Sequence, residues 1–400
     1  MLWGLYMTEI NKHFCVKAFA GVEIRANGHV VPCCDFNSNV TEVTHNLLNY
    51  TLDEITHAEH WQTLRQNMLD DKPSVNCNTC YRNEEVGITS QRQNSNNRFH
   101  DYAVQCITKN DASIHNILDI DMKLGNVCNQ MCVVCDSASS SMLFNEDEIL
   151  WPGKGVTFKN KWWRTPEVWD SIIEKCHHAK LINVYGGEPL LVKEMTPFMR
   201  KLVDSGLSKN IEINFATNGS IYEEEMFDML STFKRRNILL SGDGSGKTFE
   251  YTRYPANWDK YIENLHLIQS RLLSTDFIAN AYTYSAYSIF DIIRTSKYYK
   301  EKLDFKFPIW LNPVNQSFYS IEMLPDPIKQ RLITEFEQTY SHGYVYTGSN
   351  NLAPLVEQLK TPRVEAHWQE FKRITKMRDK MRNISIIDVI PELKDYWHED

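Results

Sequence analysis

The sequence predicts an α/β fold built on a parallel sheet, and three observations predict it. Between residues 116 and 320, six short apolar runs alternate with helical stretches, the pattern of strands joined by crossover helices. Most of those runs end in residues that carry chemistry, as expected where a site lies at the C-terminal ends of the strands. The chain is also long enough, at 400 residues with 42% hydrophobic and 24% charged, to bury a large core in two or three domains.

The elements follow in order. Ala20–Ala26 and His29–Pro32 flank Asn27-Gly28, a dipeptide that favours a type I′ hairpin turn. Cys15 precedes this hairpin and Cys33-Cys34 follow it. Leu52–Met68 repeats apolar residues at helical spacing, and Cys77-x2-Cys80 forms a knuckle after it. Arg82–Asp111 is polar with little periodicity and reads as a connector. Candidate strands are Ile117–Lys123, Leu181–Tyr185, Ile211–Ala216, Asn237–Ser241, Phe277–Thr283 and Lys306–Leu311. The helices between them include Pro166–Cys176, Pro197–Ser205 and Trp258–Leu272. Beyond residue 320 the pattern is mainly helical, clearest at Lys329–Tyr340 and Val364–Arg382, the latter with basic residues on solvated faces.

The strand ends carry the motifs. The first opens on LGNVCNQMCVVC, with Cys128, Cys132 and Cys135 at C-x3-C-x2-C. Three clustered thiolates suit an iron–sulfur centre and leave one coordination position for a non-protein ligand, whereas structural zinc takes four. The second ends in Gly186-Gly187-Glu188-Pro189, the third in Thr217-Asn218-Gly219, the fourth in Ser241-Gly242-Asp243-Gly244, and the sixth in Asn312-Pro313-Val314. Ser241–Thr248 looks like a phosphate-binding loop, but its first glycine is displaced by one residue from the required spacing. Cys106 and Cys176 belong to no motif and read as buried free thiols, and His177-His178 as a helix end.

The cysteine spacing and the GGEP segment resemble the radical S-adenosylmethionine (SAM) superfamily. The resemblance implies a partial (β/α)6 TIM-type barrel over 116–320. It also implies a [4Fe–4S] cluster on Cys128, Cys132 and Cys135, with SAM bound to its open iron. Gly186, Gly187 and Glu188 then face the SAM amine, Asn218 the ribose, and Ser241 and Arg253 the carboxylate or ribose. Val134 departs from the aromatic residue frequent before the third cysteine. Cys15, Gly28, Cys33 and the Cys77/Cys80 knuckle resemble SPASM and twitch domains, which hold auxiliary clusters. That implies a second [4Fe–4S] cluster on Cys15, Cys33, Cys77 and Cys80, with Cys33 preferred to Cys34 on spacing alone; a zinc staple is the alternative.

The division expected is a small cysteine-rich α+β module at 1–95, a connector at 96–115, the barrel at 116–320 and a helical extension at 321–400. The implied function is reductive cleavage of SAM followed by hydrogen abstraction from a substrate, with electrons from a flavodoxin or ferredoxin. A peptide is the substrate expected first. The alternatives are the same chemistry on a small sugar or cyclitol, and a non-enzymatic iron–sulfur or zinc-binding interaction protein. No residue is singled out for catalysis beyond cofactor binding. A formal charge of -8 gives no basic surface for nucleic acid. No apolar run approaches the ~20 residues that cross a bilayer, and the N-terminus has no signal-peptide pattern. Clustered cysteines without export signals place the chain in a reducing cytoplasm.

Overall fold

The computed structural model describes residues 10–38, 45–85, 87, 89–113, 116–340 and 352–397. Its framework is one eight-stranded open sheet: β1 (Gly21–Ile24), β2 (Val30–Val31), β3 (Asp119–Lys123), β4 (Leu181–Tyr185), β5 (Glu212–Thr217), β6 (Arg235–Ser241), β7 (Phe277–Tyr284) and β8 (Ile309–Pro313). The order is β2-β1-β3-β4-β5-β6-β7-β8, and all neighbours run parallel except the β1–β2 hairpin. Strands β3 to β8 are the six expected from the sequence. The addition is β1, which pairs in parallel with β3 and joins the cysteine-rich module to the same sheet.

The two faces of that sheet differ. Ile120, Met122, Ile182, Val184, Ile213, Phe215, Ile238 and Leu240 are buried within the main apolar core, with helix residues such as Ile172, Phe198 and Leu265. The alternate positions are polar. Asp121, Asn183, Asn214 and Asn237 lie directly opposite one another on consecutive strands, and their side chains hydrogen-bond in a row. The last residues of β3 to β8 (Lys123, Tyr185, Thr217, Ser241, Tyr284's neighbour Thr283, and Pro313) all line one cavity, so the sheet curves around it.

Four expectations change. The hairpin is not type I′: Gly28 alone takes positive φ (86°), and its N–H donates to Arg25 O, a turn followed by a left-handed glycine. Leu52–Met68 is two helices, Leu52–Thr56 and Glu59–Leu69; the break frees Thr56 O for the buried Arg65, which donates to it at 2.8 Å. Arg82–Asp111 is no irregular connector but carries helices Gln91–Arg98 and His100–Lys109, the first opened by a Ser90/Gln93 capping box. Its polar residues face inward: Asn96 accepts from Val16 N and donates to Phe14 O, while Arg92 donates to Phe14 O and pairs with Glu84. Finally, helix Glu365–Arg382 does not keep its bases in solvent. Lys372, Arg378 and Arg382 are buried against the barrel.

Lys17 ties the module to the sheet. Its ammonium is buried 2.7 Å from Asp119 and 3.2 Å from Asp121 of β3. Burial alone would lower its pKa, but the two carboxylates outweigh that and hold it above the ordinary value. Among the described residues no helix is long and apolar enough to cross a membrane.

Candidate active site

The cysteine loop leaves β3 and is fastened to its neighbours by backbone. Leu124 N donates to Tyr185 O at 2.8 Å and Glu188 N to Val127 O at 2.7 Å, so the loops after β3 and β4 lie against each other. That contact explains the two glycines. A Cβ on Gly187 would stand 2.2 Å from Val127 O, and one on Gly186, at φ 132°, 2.5 Å from Leu124 N. On its far side the loop is held by Met131 N to Tyr254 O and Val133 N to Thr252 O at 2.9 Å. Arg378 of the C-terminal helix also donates to Val133 O.

Cys128, Cys132 and Cys135 all open onto the cavity of about 590 Å³ that the strand ends surround, together with Gly186, Gly187, Asn218, Ser241 and Arg253. Asn218 Nδ2 lies 3.9 Å from Cys128 Sγ and donates to Asn129 Oδ1 at 2.8 Å. Arg253 Nη1 lies 3.9 Å from Cys132 Sγ, and Nη2 pairs with the buried Asp243 at 2.8 Å. Burial pushes the Cys132 thiol up to about 11, against the lowering effect of Arg253.

Glu188 departs from its expected place. It is fully buried and not on the cavity wall. Its carboxylate accepts from Asn218 N at 2.7 Å, Thr217 Oγ1 at 2.8 Å and Leu190 N at 3.2 Å, so it fastens β4 to the end of β5. Burial raises its pKa to about 7 in spite of these donors. The sequence missed Asp243, Lys123 and the segment Asn315–Gln316, all of which line the cavity. For Asp243, its place at the end of β6 was the available signal.

The second cysteine group also comes together. Cys33 is coupled electrostatically to Cys15 and Cys77, and Cys77 to Cys15 and Cys80. Cys33 and Cys77 pack beside Cys15 in a small apolar cluster of the module. Cys34 turns away: it is exposed, feels Asp121 and Asp35, and lines a different cavity. Burial raises all four thiols of the group, Cys15 to about 11 and Cys77 to about 12. Among the described residues no three His, Cys, Asp or Glu side chains close around one point as ligands of a single ion. Cluster ligands each bond their own iron and stand farther apart, and the donor set of both groups, thiolates alone, is that of an iron–sulfur cluster. The remaining thiols, Cys106 and Cys176, are buried and unpaired, as expected.

Residues 122–284 match the model of the radical SAM superfamily, and residues 15–81 match that of the SPASM iron–sulfur cluster-binding domain. The chain carries a radical SAM domain. Its first matched segment holds the Cys15, Cys33, Cys77 and Cys80 group and its second all three loop cysteines, so iron–sulfur clusters and SAM are the cofactors of its two domains. Among solved structures this chain is similar to anSMEcpe with bound AdoMet (19% identity over 57% of this chain and 63% of that one, TM-score 0.39). It is also similar to Streptococcus suis SuiB bound to precursor peptide SuiA (11% identity over 70% and 63%, TM-score 0.39). The aligned part spans just under two thirds of each of those chains. No curated protein matches the sequence.

Proposed function

We propose that this chain cleaves SAM reductively at a [4Fe–4S] cluster on Cys128, Cys132 and Cys135 and uses the product radical to take hydrogen from a substrate inside the curved sheet. The observation that carries this reading is the meeting of three cysteines, two backbone-exposing glycines and Asn218 around one cavity at the strand ends. The reduced cluster with SAM bound supplies methionine and a 5′-deoxyadenosyl radical able to attack an unactivated C–H bond.

The chain's own residues bind, orient and shield. Carbonyls of Gly186 and Gly187 accept from the SAM amine, and Ser241 offers a hydroxyl on the opposite wall. Asn218 stands beside Cys128 for the ribose, held there by Glu188, whose role becomes support for Asn218 rather than contact with the amine. Arg253 remains anchored by Asp243 and brings positive charge to Cys132 and to the SAM carboxylate. Four thiolates at Cys15, Cys33, Cys77 and Cys80 leave no open iron, so that site suits electron transfer with the substrate. A flavodoxin or ferredoxin serves as the electron source. The chain divides into 1–95, 96–115, 116–320 and 321–400, and helix His100–Lys109 forms much of the connector.

A polar, irregular Arg82–Asp111 segment would leave room for an extended peptide, but the helices Gln91–Arg98 and His100–Lys109 occupy it. A small sugar or cyclitol therefore stands level with it, and the cavity volumes are of the size that encloses a small molecule or one side chain. The test is anaerobic reconstitution with iron and sulfide, strong reductant and SAM, with 5′-deoxyadenosine measured. Formation by the native chain and its loss in Cys128→Ala is expected. A fully loaded protein that makes none would leave only the binding-protein reading.

A further inference from the structure

Tyr185 is the one aromatic residue among the described residues that line the cavity of the three loop cysteines. It ends β4 directly before Gly186 and also borders a neighbouring cavity of about 760 Å³. Its phenol reaches back across β3. Oη donates to Glu23 Oε1 of β1 at 3.3 Å, although the register sets Tyr185 opposite Lys123 and Glu23 opposite Asp121. Burial, then the charges of Asp121 and Glu23, raise the pKa of Tyr185, so it keeps its proton.

The acceptor is half satisfied. Glu23 is 5% exposed, and its second oxygen, Oε2, has no hydrogen-bond partner, with Arg25 Nε at 3.6 Å. A fold gains little from burying a carboxylate with one oxygen unpaired, so a group left in this state points to use. Oε2 is free to take a proton, and Arg25, partly exposed, marks the side on which water lies. Burial, with Asp121, raises the Glu23 carboxyl above its ordinary range against Arg25, Lys123 and the Tyr185 donor. The pair also borders the auxiliary cysteines. Asp121, whose charge bears on the phenol, lies 3.2 Å from Lys17, and Lys17 is coupled electrostatically to Cys33.

A phenol O–H bond is much weaker than the O–H of serine or threonine or the N–H of an amide. With the three cysteines taken as cluster ligands, Tyr185 is the group on this wall able to give a hydrogen atom to a carbon radical. We propose that Tyr185 is a catalytic residue of this site, the donor of a hydrogen atom to the substrate radical, and that Glu23 is a positioning residue that orients the phenol and returns its proton. The proposal rests on SAM being cleaved in this cavity. The O–H bond of Tyr185 breaks, a C–H bond forms on the substrate, and a neutral phenoxyl remains. One electron from the auxiliary cluster, resupplied by the flavodoxin or ferredoxin, and one proton from Glu23 restore the phenol; water reprotonates Glu23. The substrate carbon has then lost one hydrogen and regained another, so the reaction class is redox-neutral at that carbon, such as inversion of a C–H stereocentre.

Without substrate, the radical made from SAM meets the phenol directly. The reconstituted protein is given titanium(III) citrate and SAM in heavy water, where O–H and S–H exchange and C–H does not. Mass spectrometry reads deuterium per 5′-deoxyadenosine formed, and electron paramagnetic resonance of frozen samples reads a tyrosyl radical. The native chain should give singly deuterated 5′-deoxyadenosine and a tyrosyl signal. Both should be lost in Tyr185→Phe and kept in Cys34→Ala, which controls for the exposed thiol nearby. Glu23→Gln should lengthen the life of the radical, because no proton stands ready to quench it; an unchanged lifetime strikes Glu23 from the proposal. Variants are shown folded by circular dichroism, and the native chain alone can refute the donor. Unlabelled 5′-deoxyadenosine from the native chain, or label that survives Tyr185→Phe, overturns the role of Tyr185 and leaves SAM cleavage standing. No 5′-deoxyadenosine from the loaded native protein overturns both.

Discussion

Glu188 shows how a motif residue can serve through its neighbours. Its carboxylate is consumed by Asn218 N, Thr217 Oγ1 and Leu190 N, so its loss acts on the end of β5 before it acts on any ligand. Its pKa is raised from 4.5 to about 7 by burial. A carboxyl raised in the fold contributes stability that is complete below the unfolded value and is lost as pH rises through the folded one. The cluster-free protein should therefore lose roughly 2–3 kcal/mol between about pH 4.5 and 7 from this group. Glu188→Gln should flatten that part of the profile in denaturant titrations, and an unchanged profile would remove the group from the account. Lys17 makes the opposite case. Lys17→Met leaves Asp119 and Asp121 buried together without their cation and should cost about 3–5 kcal/mol of unfolding free energy. Cysteine spacing was legible in the sequence because cluster ligands sit close along the chain. The placement of Glu188 was not, since nothing local shows that its three donors will occupy it.

Among the elements, the long helix Glu365–Arg382 is a brace for the cysteine loop. Arg378, almost fully buried, donates to Val133 O and to Tyr319 Oη at 2.8 Å, while Arg382 pairs with Glu146 at 2.7 Å. Arg378→Met should destabilise the fold by about 2–3 kcal/mol through the bonds it strands. It should also shift the reduction potential of the nearby cluster downward, because a buried cation is removed. Thermal melts and a redox titration check both; a melt that falls with an unmoved potential would make the helix structural only. Helix periodicity was readable here, but which polar residues were buried was not. Helix Gln91–Arg98 escaped for a related reason. Its inward face is Arg92, Ser95 and Asn96, of which Arg92 and Asn96 satisfy the backbone of Phe14 and Val16, so there was no apolar stripe to see.

For the whole molecule, the decisive feature is that one sheet runs from the auxiliary cysteines to β8. The six strands of the barrel were legible because their outward faces are apolar and their ends chemically distinctive. Pairing of β1 with β3 joins residues almost a hundred apart, and no local pattern reports it. The loop cysteines open onto the strand-end cavity, whereas Cys15, Cys33 and Cys77 pack in the module's own apolar cluster, so the proposed function implies two separate clusters. Reconstituted protein should hold about eight irons per chain, falling to about four in the Cys77→Ala/Cys80→Ala variant, with no zinc retained. The most direct measurement uses that variant: electron paramagnetic resonance of its reduced cluster with and without SAM. An open iron bound by SAM predicts a changed signal on addition. An identical spectrum at saturating SAM would contradict the claim that three cysteines leave one iron for the cofactor.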